Sequence, residues 1–426
     1  MIPVSLLYHI NINHLSLSFG GRAEYLENIL GEILDSIKVN SNISVCGEDL
    51  LILSLWNKSV FDRLVNHPKL KFMLSTYSHA LPNHFPETYL INVKLGNLII
   101  RNLVPKEKII NIGYSPEVDL PSMDILKGIT KYWSALVLGE TRIRIQGMNQ
   151  ESYPPLFSIC TDLGKNSLYG VLSRRHFNFR EYYHKYLRCQ LSANKLCEGI
   201  IKDFYRFSQP YPILLRIDLE TLLFNRCIGN NGHRGKVPLK RFIKYQECLL
   251  KRDFNFQWLD VSRVASGGGS IRKFLSEEVM PSKEEDYKWE NSELRTKVSK
   301  LLKKRMTLNH YIQVLSLECS DYYCSNFDDI GFTVRNDREI VILKRRVFRD
   351  QESNIKLKLL RTNKLEQVLS RIPDKNLARY LRYYFDSVSY IADFALKKLK
   401  TESSREADKI FIVQESDSFS VRPLII

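Results

Sequence analysis

Two acidic positions stand where apolar runs end. Glu117, in "GYSPEVDLPS", sits behind a proline just after the run Ile109, Ile110, Ile112, and Asp218 and Glu220, in "LLRIDLETLLF", close a second run. Asp218 and Glu220 are two apart, so on a continuing strand they share one face. Side by side, ionised acids repel, which raises the pKa of one and suits it to act as a general acid. One acid from each place gives the pair that cleavage of a glycosidic bond needs, a carboxyl group on either side of the scissile bond. Each also has a plainer reading. "DLET" can open a helix with its acids at the positive end of the dipole, and Glu117 can cap a turn among the turn formers of "PEVDLPS".

Other groups able to do chemistry stand at similar places. His9 follows the first apolar run, Tyr77 and His79 the third, Arg174 and Arg175 the sixth, and Asp260 the last. The arginines could clamp a substrate hydroxyl or carboxylate, or hold an acid ionised by pairing with it. Tyr77 and Tyr114 could stack on a sugar or be core aromatics. His67, His184, His233 and His310 read as ordinary core or surface imidazoles.

The elements that must carry these residues read as short buried strands at 4–10, 50–56, 71–77, 108–114, 134–140, 169–175, 212–218 and 256–260. Between several of them lie helical stripes, as in "RAEYLENILGEILDSI" with Leu26, Ile29, Leu30, Ile33 and Ile37 on one face, and in "FPETYLINVKLGNLIIRNL". Strand, helix, strand in alternation predicts a parallel sheet with helices outside it. In a β/α barrel the carboxyl ends of all strands face one cleft, so acids far apart in sequence converge there. After the glycine-rich "SRVASGGGS" the pattern changes to amphipathic helices over 292–318 and 376–400. Between them "FTVRNDREIVILKRR" reads as a hairpin with turn residues Asn336 and Asp337.

A chain of 426 residues, 44% hydrophobic, is long enough for a large domain and a smaller one. It has no apolar run of about 18 residues, and its start lacks the basic segment and small-residue cleavage site of a secretory signal, so we read it as cytosolic, with no membrane partner. The eight cysteines, Cys46, Cys160, Cys189, Cys197, Cys227, Cys248, Cys319 and Cys324, include no CxxC pair, so neither a zinc site nor a disulfide framework is suggested. The formal charge of +16 would suit nucleic acid. Its basic clusters, 303–305 and 344–346, lie among many acids, however, and we read a solvated basic surface, with nucleic acid disfavoured as a partner.

The segments "FMLSTYSHALP", "GYSPEVDLPSMDILK", "LLRIDLETLLF" and "WLDVSRVAS" resemble, in order and spacing over residues 1–265, the motifs of glycoside hydrolase family 57, retaining enzymes active on α-glucans. The resemblance implies an α/β fold: an incomplete (β/α)7 barrel at 1–265, followed by a mainly helical C-terminal region at 266–426 with a small hairpin. It implies Glu117 as nucleophile and Asp218 as general acid/base. His9, Tyr77, His79, Arg174, Glu220 and Asp260 become candidate substrate-binding residues for an oligosaccharide or polysaccharide. No metal or organic cofactor is implied.

The sequence departs from the family in several respects, among them a short loop before "RAEYLENIL" and only four tryptophans, Trp56, Trp133, Trp258 and Trp289. The first motif reads His9, Ile10, Asn11 without the glutamine and proline, and Leu222 and Leu223 replace the aromatic-glycine pair after "DLET". The expected function is a retaining glycoside hydrolase or glucanotransferase. The alternative is a divergent, non-catalytic barrel that binds carbohydrate or acts as a scaffold.

Overall fold

Most of the apolar runs become strands, and seven strands close on themselves. The computed structural model describes residues 2–10, 23–56, 58–83, 85–162, 166–173, 185–186, 190–207, 213–219, 236–252, 254–261, 271–282, 333–336 and 339–342. In chain order the elements are β1 (Ile2–Ile10), α1 (Ala23–Ser36), β2 (Ser41–Val45), α2 (Gly47–Trp56), α3 (Lys58–Asn66), β3 (Leu70–Ser75), α4 (Pro86–Leu103) and β4 (Ile109–Tyr114). There follow α5 (Met123–Ile129), β5 (Ala135–Gly139), β6 (Ile143–Ile145), β7 (Leu156–Asp162), β8 (Asn166–Ser173), α6 (Ala193–Phe207), β9 (Ile213–Asp218), α7 (Lys236–Leu250) and β10 (Phe254–Phe256).

The strands β1, β2, β3, β4, β5, β8 and β9 pair in that order, all parallel, and β9 returns to β1, so seven strands make a closed barrel. Two apolar faces follow from the pleat. On β1, Val4, Leu6, Tyr8 and Ile10 face outward into a core shared with Leu30, Ile33 and Leu34 of α1. The alternate residue Leu7 faces inward and meets Met73, Ile112, Tyr114, Val137, Val171 and Leu214. A strand buried on both faces reads as one apolar run, which is why β4, β5 and β9 fall within a residue of where the sequence places them.

Two strand expectations are corrected. "LLILSLW" at 50–56 is not a strand but most of α2. A nearly continuous apolar run carries no period to tell helix from strand. The flank does carry one, since Glu48 and Asp49 stand in the first turn at the positive end of the dipole. The second strand is instead "SNISV", whose inward residues Asn42 and Ser44 are polar and broke the pattern. "FQWLD" at 256–260 is strand only up to Phe256. There β10 pairs with Ile2–Val4 of β1, below the ring, and the chain then turns under the barrel.

Beyond the ring, β7 pairs antiparallel with β8, and β11 (Arg272–Leu275) extends that edge in parallel with β7. β12 (Val279–Pro281) pairs antiparallel with β6. These last two strands follow the expected boundary at 265 yet belong to the barrel's flank. The expected hairpin is present as β13 (Thr333–Asn336) and β14 (Glu339–Ile342), with Asn336 paired to Glu339 as a strand residue rather than a turn residue. The helical stretches 292–318 and 376–400 lie outside the described residues. Among the described residues no helix is long and apolar enough to cross a membrane.

Candidate active site at the barrel mouth

Glu117 lies in the tight turn directly after β4. Its backbone is left-handed, with φ 55° and ψ 9°, and Val118 follows with φ 54°. Non-glycine residues seldom adopt this region, and a β-branched valine there is a true outlier; each costs about 1–3 kcal/mol, so the surroundings must impose it. The restraints are visible. Val118 N–H donates to the Ser115 carbonyl at 2.8 Å, and Asn83 Nδ2 donates to the Leu120 carbonyl at 3.1 Å. The Ser115 hydroxyl meets the Tyr89 hydroxyl of α4 at 2.8 Å. Burial pushes the Tyr89 phenol well up, so it stays neutral. Asp119 pairs with the buried Arg142 guanidinium, Nε to Oδ1 3.4 Å. Val118 packs on Gly139 at the end of β5, where a Cβ would lie 2.7 Å from Val118 Cγ2 and 2.9 Å from Arg142 Cγ. Only glycine lets the turn sit that close. Glu117 itself is half-buried, neither sealed in the core nor loose in solvent.

Facing it across the ring is β9, whose last residue is Asp218. The register pairs Asp218 with His9, and His9 and Leu214 lie on the inward sheet face. Arg216, on the same face as Leu214, donates from Nη1 to the Tyr114 hydroxyl at 3.1 Å. Tyr114 is the last residue of β4. β4 and β9 are not neighbours in the ring, so this bond spans the lumen and ties the strand that leads into the Glu117 turn to the strand that ends in Asp218.

The imidazoles complete the bridge. The His9 ring stacks on Tyr114, centroids 4.8 Å apart at 23°, and on His79, 4.9 Å apart at 29°. His9 Nε2 and His79 Nε2 are 2.9 Å apart and both rings are buried. One nitrogen must donate and the other accept, so the two rings cannot both be imidazolium in this arrangement. His79 sits on a loop clamped from two sides. Gly47 and Glu48 at the start of α2 donate N–H bonds to the Thr76 and Tyr77 carbonyls at 2.9 and 2.8 Å, and Tyr77 N–H donates to the Asn92 carbonyl of α4 at 2.9 Å. The Asn92 side chain accepts from Ser78 N–H at 3.0 Å and donates to Ser78 Oγ at 2.9 Å. Gly96 lets α4 touch the Thr76 backbone, where a Cβ would collide.

The structure thus brings together at the mouth His9, His79 and Tyr114 by side-chain contact, with Glu117 and Asp218 at the adjoining strand ends. Tyr77 is fully buried, so its ring offers no open face to a ligand. Asp260 stands at the opposite end. The segment before it is fastened to the floor by Gln257 N–H to the Val4 carbonyl at 3.1 Å and Leu259 N–H to Asn42 Oδ1 at 3.1 Å. Asp260 therefore does not join the mouth, because the last expected strand passes beneath the ring. Arg174, Arg175 and Glu220 lie outside the described residues. Sequence reading missed Arg216 and the Asp119–Arg142 pair. The signal for Arg216 was its parity with Asp218 on a strand buried on both faces, where an arginine needs a partner. Among the described residues no group of three or more His, Cys, Asp or Glu side chains is arranged to hold a metal ion.

No family model and no curated protein matches the sequence. Solved structures do match. The 4-α-glucanotransferase from Thermococcus litoralis aligns at TM-score 0.52 and 11% identity, over 87% of this chain and 60% of its own. An exo-type maltose-forming amylase from Pyrococcus sp. ST04 aligns at TM-score 0.45 and 12% identity, over 93% of this chain and 74% of its own. The α-amylase AmyC from Thermotoga maritima aligns at TM-score 0.47 and 10% identity, over 90% and 96% respectively. The chain therefore spans 60% of the length of the glucanotransferase. The similarity to that enzyme is one of fold, an α/β barrel.

Proposed function

We propose that the protein is a retaining glycoside hydrolase or glucanotransferase acting on an α-glucan or a related oligosaccharide, a divergent member of glycoside hydrolase family 57. The observation that carries this reading is the Arg216–Tyr114 bond across the lumen, because it ties β9, whose last residue is Asp218, to β4, which leads into the Glu117 turn. The fold shared with a 4-α-glucanotransferase supports the substrate class. So does the ordered run of motifs.

In the proposed cycle the Glu117 carboxylate attacks the anomeric carbon while Asp218 gives its proton to the leaving glycosidic oxygen, and the carbon–oxygen bond breaks. Asp218, now a carboxylate, takes a proton from water or an acceptor hydroxyl. The freed oxygen attacks the same carbon and releases Glu117. This mechanism calls for a separation of about 5–5.5 Å between the two carboxyl groups. His9 and His79 are the candidate hydrogen-bonding groups for a sugar hydroxyl, and Arg174 and Glu220 follow the ends of β8 and β9 in the sequence. A relic barrel would have no reason to keep two consecutive left-handed residues at Glu117 and Val118, and that strain favours the catalytic reading over the scaffold.

The test is Glu117→Gln assayed on maltooligosaccharides. Turnover should drop by about 10³-fold or more with the melting temperature unchanged. Retained full activity removes Glu117 from the role.

A further inference from the structure

Among the described elements, helices α6 and α7 flank β9 in the chain, and they pack on each other outside the barrel. At their contact Cys197 Sγ and Cys248 Sγ lie 3.2 Å apart, and both are thiols. That is closer than two unbonded sulfurs usually sit, and a disulfide at about 2.05 Å needs an approach of only about 1 Å more. The two thiols differ in access. Cys197 is fully buried on the inner face of α6, whereas Cys248 is half-buried. Cys248 Sγ also lies 3.6 Å from Asn194 Oδ1, and Asn194 lines an open cavity of about 500 Å³ together with Lys195, Arg241 and Lys244. Cys248, the more exposed thiol, therefore stands next to a residue of that basic cavity's wall and is the one a small reagent meets first.

We propose that Cys197 and Cys248 are a reversible dithiol–disulfide site, oxidised by a hydroperoxide, that locks α6 to α7. The Cys248 thiolate attacks one oxygen of hydrogen peroxide. The O–O bond breaks, the departing hydroxide takes a proton to become water, and Cys248 becomes a sulfenic acid. The Cys197 sulfur, giving up its proton, then attacks the Cys248 sulfur. The S–O bond breaks, a second water leaves, and the disulfide is complete. The two thiols have lost two electrons to the peroxide, and an external dithiol returns them. Burial, with Cys248 beside it, pushes the Cys197 thiol well up, which fits the second role rather than the first. The bond would close a loop containing all of β9, the strand that ends in Asp218. The proposal stands on the thiols alone and does not depend on the glycosidase reading.

The test uses the full chain, reduced and then treated with stoichiometric hydrogen peroxide, quenched by alkylation and mapped by peptide mass spectrometry. The expected first product is the Cys197–Cys248 cross-linked peptide, with loss of two alkylation tags and a rise in melting temperature of about 5 °C that dithiothreitol reverses. Cys197→Ala should leave a Cys248 sulfenic acid that dimedone captures. Cys248→Ser should leave Cys197 alkylatable and abolish the temperature rise. If other thiols oxidise while Cys197 and Cys248 stay fully alkylated, or if either pairs with a different cysteine, the proposal is overturned; the wild-type map decides this even if a variant fails to fold.

Discussion

At the floor of the barrel Asn42 donates to Ser5 Oγ at 2.8 Å and to the Leu6 carbonyl at 2.9 Å, and accepts from Leu259 N–H at 3.1 Å. At the mouth the side chains of His9, His79, Tyr114 and Arg216 contact one another instead. The two histidine environments show the same contrast. Near the floor, His67 bonds the Leu34 carbonyl through Nε2 at 3.0 Å and accepts from Lys69 N–H at Nδ1, both backbone partners. His9 and His79 bond each other. Floor polar groups close the fold mainly by satisfying main chain; mouth polar groups sit at strand ends and on the loop after β3, next to left-handed backbone, and bond or stack on one another. That is the division expected of a barrel whose carboxyl-terminal face does chemistry.

The comparison breaks if mouth and floor substitutions have the same effect. Arg216→Met removes the bond across the lumen and should cut kcat/KM on maltooligosaccharides by about 10²-fold through misplacement of the two acids, with a stability loss of about 1 kcal/mol from the lost hydrogen bond. Steady-state kinetics alongside thermal melting would show it, and equal losses in both would make Arg216 structural. Asn42→Ala is the mirror case. It deletes three buried bonds at once and should cost about 2–4 kcal/mol by denaturant titration, while kcat per folded molecule stays at the wild-type value.

The smallest effect is one of pH. Burial holds the His67 imidazole below its ordinary value of 6.5 in the folded protein. Between that lowered value and 6.5 the unfolded chain binds more protons than the folded one, so stability falls as pH drops through this window and is unaffected by His67 above it. His67→Gln should flatten that part of the stability–pH curve; an unchanged slope would show that the loss comes from other groups.

The legibility of the chain follows the same two ends. Strands with apolar residues on both faces, such as β4 and β9, announce themselves. β2 did not, because Asn42 and Ser44 turn polar groups into the lumen, and the apolar run "LLILSLW" of α2 then took its place. The positions of Glu117 and Asp218 at strand ends were legible from the proline and from the run "PILLRID". The left-handed turn at Glu117 and Val118 was not, since neither residue type advertises positive φ and the restraint comes from Tyr89, Gly139 and Arg142 on other elements. Asp260 misled because a strand-like run can pass under a barrel as well as through its wall. The Cys197–Cys248 contact was invisible at a separation of 51 residues, with no CxxC spacing to mark it.

The central claim is that Glu117 attacks the sugar while Asp218 works opposite it. Incubation with 5-fluoro-α-glucosyl fluoride, followed by peptide mass mapping, tests that directly, because a retaining enzyme accumulates the fluoroglycosyl ester on its nucleophile. The account predicts one added fluoroglucosyl group on the peptide containing Glu117, absent in Glu117→Gln and longer-lived in Asp218→Asn. An enzyme that turns the reagent over with no adduct, or with the label on another residue, would contradict it.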